Sequence, residues 1–249
     1  MLPNAWDAAS ALVIAHAGAS AVATGSAGIA WAMGRPDGQQ LSRTEMVQAV
    51  ARIAAVVEVP VTADMEGGYG DVTATVTEII DAGAVGMNME DSEGPGKPLV
   101  DREEQADRIR AVRQAAKAAG VPDFVINART DVHLFQVGDP DGRPAEVLIR
   151  AKAYAEAGAD CLFVPGLLDL DALKELTTAS PLPVNVMVMP GGPTIAQLAA
   201  AGVHRISLGP NVMLAAYAAT HQAVTELLTG GTFDGFPDLS VVRPLIVRR

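Results

Sequence analysis

The chain has 249 residues and a formal net charge of −11, and 49% of its residues are hydrophobic but only 4% aromatic. The excess of acid argues against nucleic acid or an anionic membrane surface as partner, since both require a basic face and no Lys/Arg cluster locally reverses the sign. No apolar run reaches the ~18–20 residues of a spanning helix, the N-terminus does not read as a signal peptide, and the single Cys161 leaves no internal disulfide, so a soluble, cytoplasmic protein is expected.

A core built from Ala, Val, Ile and Leu suits a parallel sheet covered by helices. In chain order, eight short apolar runs are predicted as strands: 2–5, 20–24, 60–64, 84–89, 124–129, 160–164, 183–189 and 203–208. They read as runs unbroken by polar alternation, as expected of strands buried on both faces. Gly18, Gly83, Gly158 and Gly202 stand where helices should end before a strand, because glycine enters the left-handed region without a Cβ penalty. Proline precedes other strands, as in Val59-Pro60-Val61 and Leu182-Pro183-Val184. Helical spacing fills the gaps. Met46, Val50, Ile53 and Val57 follow Ser42 and Glu45, a capping box. Asp101–Ala119 carries acids in its first turn and bases later. In 193–194 and 210–211, Pro193 and Pro210 read as first helical positions.

Eight near-equal units in one chain have the rhythm of an α/β (β/α)8 TIM barrel, 1–249, with residues 230–249 as a C-terminal tail. A doubly wound open sheet competes, but no GxGxxG turn is present. In a barrel, chemistry lies at the C-terminal strand ends. Those ends carry Thr24-Gly25-Ser26, then Asp64 and Glu66, then Glu90-Asp91, then Arg129 with Asp131. So many acids around one guanidinium need a further cation. Hard carboxylate oxygens without nearby His or Cys favour Mg²⁺ or Mn²⁺ over zinc. Asp64 is the expected direct ligand, with Glu66 and Glu90 acting through bound water. Asp91 and Asp131 read as supporting or capping acids, and Asp71 and Asp101 as helix caps.

The stretch Asp64-Met65-Glu66-Gly67-Gly68-Tyr69-Gly70 resembles the D-x-D/E-x-G-Y-G motif of the isocitrate lyase/phosphoenolpyruvate mutase superfamily. Pro3-Asn4-Ala5-Trp6-Asp7-Ala8, Thr24-Gly25-Ser26-Ala27, Met33-Gly34-Arg35-Pro36-Asp37, Met89-Glu90-Asp91, Asn127-Ala128-Arg129-Thr130-Asp131 and Ala153-Tyr154-Ala155-Glu156-Ala157-Gly158-Ala159-Asp160 resemble family segments in the same order. The resemblance implies a Mg²⁺-dependent barrel acting on a small α-oxo acid through a metal-bound enolate. It also implies a homodimer or homotetramer that exchanges its C-terminal helix. Thr24, Gly25, Ser26 and Ala27 would grip the substrate carboxylate, with Asp37 serving the metal and its waters beside the substrate. Arg129 would pair with the substrate. Trp6 would floor the pocket or fill it.

Two departures from the family pattern bear on the reaction. The loop after strand four reads Ser92-Glu93-Gly94-Pro95-Gly96-Lys97-Pro98-Leu99. It is short and lacks the lyase cysteine and the mutase asparagine. Strand six closes on Val164-Pro165-Gly166, where mutases place a histidine. Decarboxylation needs no base for a substrate hydroxyl, so C–C cleavage of the oxaloacetate type is the leading expectation. Arg129, Tyr69 as proton donor and Glu90 form its catalytic set. The alternatives are a 2-methylisocitrate-type lyase that recruits Glu93 or His133, a phosphonopyruvate mutase or hydrolase, and a non-catalytic α-oxo acid binder. Cys161, inside strand six, reads as a small core residue.

Overall fold

A computed structural model describes residues 1–247. Eight parallel strands stand in sequence order: β1 (Asn4–Ala5), β2 (Val22–Thr24), β3 (Val61–Asp64), β4 (Ala84–Glu90), β5 (Val125–Arg129), β6 (Cys161–Phe163), β7 (Val184–Met187) and β8 (Arg205–Ser207). The Leu2 N–H donates to Ile206 O at 2.8 Å, and a parallel bridge between Leu2 and Ser207 brings the last strand back to the first. The helices between them are α1 (Ala8–His16), α2 (Ser26–Ala32), α3 (Arg43–Ala54), α4 (Val72–Asp81), α5 (Arg102–Ala118), α6 (Arg143–Ala157), α7 (Leu170–Ala179) and α8 (Ile195–Ala200). After β8 come α9 (Asn211–Gly230) and α10 (Val242–Val247). This is the expected (β/α)8 barrel.

The helices form where local chemistry permits. Ser42 and Glu45 make the expected reciprocal cap of α3, and Met46, Val50 and Ile53 are its buried stripe. Asp71 and Asp101 cap α4 and α5. Pro193, by contrast, precedes the Thr194 cap of α8, and Pro210 is itself the cap residue of α9. Neither occupies a first helical position. Thr194 takes over in α8 because its hydroxyl accepts from Gln197 N–H, which proline cannot offer.

The strands are buried on both faces, but they are not unbroken apolar runs. Ala63, Met87, Met89, Ile126, Ala128, Leu162 and Val186 are fully buried. Between them alternate Thr62, Asp64, Asn88, Glu90, Asn127, Arg129, Asn185 and Arg205. Strand side chains alternate between faces, so the apolar set meets the helices and the polar set fills the lumen. Asn127 donates to Asn88, and Arg205 reaches Thr62 across the barrel. The lumen is polar because it is the floor of a polar site. Val85 escapes the pattern: a register shift beside Thr62 skips it, and it is 40% exposed.

In the single chain, α10 packs against α1. The tail expected over 230–249 is therefore described as far as Val247; residues 248 and 249 lie outside the described residues. Among the described residues, no helix is long and apolar enough to cross a membrane.

Gly86 of β4 lies opposite Val125 of β5. An added Cβ would stand 2.7 Å from the Val125 carbonyl oxygen and 2.9 Å from Val125 Cβ. Overpacking a core typically costs about 1–3 kcal/mol, so Gly86→Ala should lower Tm by several degrees, at about 2–4 °C per kcal/mol for this size. Calorimetry checks this. An unchanged Tm would mean that the two strands part without cost.

Candidate active site

A cavity of about 200 Å³ opens at the C-terminal end of the barrel. Its polar lining comprises Asn4, Ser26, Asp37, Asp64, Asn88, Arg129 and Ser207; Trp31, Leu134, Phe163, Met187 and Pro210 supply apolar walls. The strand ends hold this mouth together. Asn4 Nδ2 donates to Thr24 O at 3.0 Å, while its Oδ1 accepts from Leu208 and Gly209 N–H at 2.9 and 3.0 Å. Thr24 is fully buried, and its hydroxyl oxygen accepts from Asp64 N–H at 2.8 Å. Thus β8, β1, β2 and β3 are tied by side chains just where their ladders end.

Asp64 is 7% exposed. Its Oδ2 accepts from both the N–H and the hydroxyl of Ser26, at 3.0 and 2.9 Å. It thereby supplies the start of α2 with the acceptor that its cap residue, Gly25, lacks. Its Oδ1 is buried and has no hydrogen-bond partner among the described residues. A carboxylate oxygen so placed calls for a cation or donor from outside the chain.

Glu66 faces the other way. Its Oε1 accepts from Gly38 and Gln39 N–H at 3.1 and 2.5 Å, and its Oε2 accepts from the Tyr69 hydroxyl. It pins the loop that carries Asp37, and both Glu66 and Tyr69 adopt positive φ to do so (49° and 54°). Burial raises the Glu66 pKa, against the Tyr69 and Gln39 bonds. Burial and the Glu66 charge raise that of Tyr69. Asp37 is exposed as a residue, yet its carboxyl lines the cavity. Desolvation there and the charge of Asp64 push its pKa up.

Glu90 Oε2 pairs with Arg129 Nη1 at 2.7 Å, and Asp131 Oδ1 accepts from Arg129 Nε at 2.7 Å. Burial pushes the Glu90 carboxyl well above its usual range, with Arg129 pulling it down. Burial works against the Arg129 cation, but Glu90 and Asp131 more than offset it, so its pKa is raised. The guanidinium carbon lies 5.8 Å from the centre of the Phe163 ring. Its Nη2 donates to none of the described residues.

The structure thus brings Gly25, Ser26, Ala27, Asp37, Asp64 and Arg129 to one cavity. Thr24, Glu66, Tyr69 and Glu90 lie behind its lining. Trp6 does not line it: its Cβ packs 3.0 Å from where a side chain at Gly28 would begin, and Trp31 is the tryptophan of the lining. His133 faces a separate, mostly apolar cavity of about 160 Å³ with Val147, Leu148 and Leu167. Burial and Arg143 lower its pKa. Glu93 lies on the outer side with Gln39 and Arg108. Cys161 is buried, burial pushes its thiol up to about 11, and Sγ lies 3.1 Å from Pro183 O. Among the described residues no three His, Cys, Asp or Glu side chains converge as a ready metal cage. Asn4 lies in the motif segment 3–8, but Asn88, Phe163, Met187 and Ser207 carry no motif of their own; only the two-residue alternation of the strands could have flagged them.

The family model for phosphoenolpyruvate phosphomutase matches residues 1–228. The chain belongs to that family. Within its superfamily, a Burkholderia cenocepacia J2315 protein provisionally named a phosphonomutase is 48% identical, with a TM-score of 0.86 over 90% of this chain and 92% of that one. The 2,3-dimethylmalate lyase of Eubacterium barkeri is 34% identical over 91% of this chain and 79% of its own length. Oxaloacetate decarboxylase 2 of Pseudomonas fluorescens Pf0-1 is 31% identical over 83% and 71%. The family is one of lyases and mutases, and this member shares its barrel.

Proposed function

We propose that the protein is a Mg²⁺- or Mn²⁺-dependent enzyme that cleaves a carbon–carbon bond of a small α-oxo acid, most simply by decarboxylation of oxaloacetate or a near analogue. The observation that carries this reading is the unpartnered Asp64 Oδ1 in a cavity faced by the Arg129 guanidinium. An all-oxygen donor set suits a hard cation that keeps most of its waters. Asp64 would hold it directly, with Asp37, Glu66 and Glu90 reached through water. When bound, such a cation supplies Lewis-acid polarisation of the oxo group.

The residues of the chain account for the rest. Arg129 is held from two sides by Glu90 and Asp131, so its Nη2 edge is aimed before substrate arrives. Such preorganisation favours charge that develops on an oxygen as the bond breaks. Ser26 gives both of its donors to Asp64, which leaves Gly25 and Ala27 as the neighbouring walls of a carboxylate pocket. Tyr69 donates to Glu66 from behind the cavity, so the pair would hold the loop of Asp37 while a water at the cavity mouth supplies the proton to the enolate. No residue equivalent to the lyase cysteine stands on the loop 92–99. His133 and Glu93, the substitute bases, face elsewhere. Both facts support decarboxylation over aldol cleavage of a hydroxy acid.

NMR product analysis with Mg²⁺, corrected for the enzyme-free rate, tests the reading. Oxaloacetate should give pyruvate and CO₂, and phosphonopyruvate should persist. Isomerised phosphonopyruvate, clean aldol cleavage of 2-methylisocitrate, or saturable binding without turnover would each replace this reading with its named competitor. Arg129→Lys should lose tenfold or more in kcat/KM, because a hydrogen bond to a charged group is worth about 1.5–3 kcal/mol and a point charge does not reproduce a planar fork.

We also propose a homodimer or homotetramer assembled through the C-terminal region. Leu214, Tyr217, Val224 and Leu228 of α9, with Phe233 and Phe236 beyond it, are exposed apolar residues in one stretch of chain. Light scattering should give a mass at least twice that of the chain, reduced by Leu228→Glu together with Tyr217→Glu. A monomeric parent protein would refute the assembly.

A further inference from the structure

Helix α6 lies outside the barrel, yet it sends two polar side chains deep into the wall: Arg150 is 6% exposed and Tyr154 is not exposed at all. Both converge on Asp91, which is also completely buried. The Tyr154 hydroxyl donates to Asp91 Oδ2 at 2.7 Å, and Arg150 Nη1 donates to the same oxygen at 3.0 Å. The other Asp91 oxygen accepts the Asp131 N–H at 3.0 Å. Asp131 in turn holds Arg129 through Oδ1 and takes the Ser92 hydroxyl on Oδ2 at 2.5 Å. Arg150 Nη1 also reaches Val100 O at 3.0 Å, and Val100 N–H returns to Asp91 O at 2.8 Å.

Two things are therefore fixed by one cluster. It sets the carboxylate that aims Arg129, and it clamps both ends of the rim loop, Ser92 at one and Val100 at the other. We propose that Arg150 and Tyr154 are positioning residues: from outside the barrel they hold Asp91, and through it Asp131, so that Arg129 and the loop 92–100 keep one arrangement. Arg150 is itself held by Glu146 at 2.7 Å on its own helix, which leaves its Nη1 corner for Asp91 and Val100. The consequence is a rim that is anchored and does not swing, consistent with a loop too short to serve as a lid. The kinetic part rests on the reading of Arg129 as a substrate contact; the anchoring part does not.

The test uses the full-length protein with Tyr154→Phe and Arg150→Lys, which keep the bulk of the wall, and Arg150→Ala. Hydrogen exchange is measured on segments 92–100 and 129–134 without metal or substrate. The affinity for oxalate in the presence of Mg²⁺ and the split between kcat and KM on oxaloacetate are measured alongside. Tyr154→Phe and Arg150→Lys should fold with faster exchange in both segments, and oxalate binding should weaken about threefold to tenfold with KM rising in step. Millimolar guanidinium should restore part of the Arg150→Ala loss. If Arg150→Ala does not fold, the two conservative variants decide. Folded variants with parental exchange, or faster exchange with parental oxalate affinity and KM, would overturn the proposal. A parent that binds oxalate but does not turn over oxaloacetate would instead sink the decarboxylase reading and leave the exchange result standing.

Discussion

Five buried carboxylates, Asp64, Glu66, Glu90, Asp91 and Asp131, crowd the C-terminal edge of the barrel, and among the described residues only Arg129 and Arg150 are paired with them. Burying a carboxylate is costly unless it is paired or hydrogen-bonded, so each must be satisfied in its own way. Glu66 is satisfied by two backbone N–H groups and a phenol. Glu90 and Asp131 share Arg129, and Asp91 has Arg150, Tyr154 and a backbone N–H. Among the described residues, Asp64 has the one fully buried carboxylate oxygen without a hydrogen-bond partner. The site follows from that imbalance: the fold buries more carboxyl groups than its own cations pair, and an unpartnered oxygen of Asp64 is left at a cavity.

Much of this was legible in the sequence because it sits on strong local signals. Glycine at helix ends, capping boxes and short apolar runs gave eight β/α units, and the acids after β3, β4 and β5 stood at the strand ends. Asp64 and Glu66 needed only the rule that barrel chemistry lies at those ends, and the resemblance to the family motif added Tyr69. The family match over residues 1–228 agrees with the resemblance read from those segments.

What was not legible depends on facing and distance. The lumen asparagines and Ser207 look like ordinary strand residues until the two-residue alternation is assigned a face, and the runs were read as uniformly apolar. Trp6 packs against Gly28 of α2, away from the cavity, and Trp31, which no sequence signal singled out, stands in the lining. The partnership of Arg150 with Asp91 spans 59 residues, and helical spacing marks Arg150 only as one more base on α6. Glu66 reads as a metal-side acid in the motif. In the fold its two oxygens are engaged by the loop of Asp37 and by Tyr69, a contact between distant segments that no local pattern encodes.

If Asp64 faces a divalent cation, manganese reports on it directly. Titration of the protein with Mn²⁺, followed by the loss of the free-ion electron paramagnetic resonance signal, should show a single site per chain that Mg²⁺ displaces. In Asp64→Asn, which keeps the shape and the bond to Ser26, affinity should fall by more than about 100-fold, since losing even an outer partner of a ligand costs about 10–100-fold. Equal Mn²⁺ binding by the folded variant and the parent would contradict the account, as would a parent with no such site.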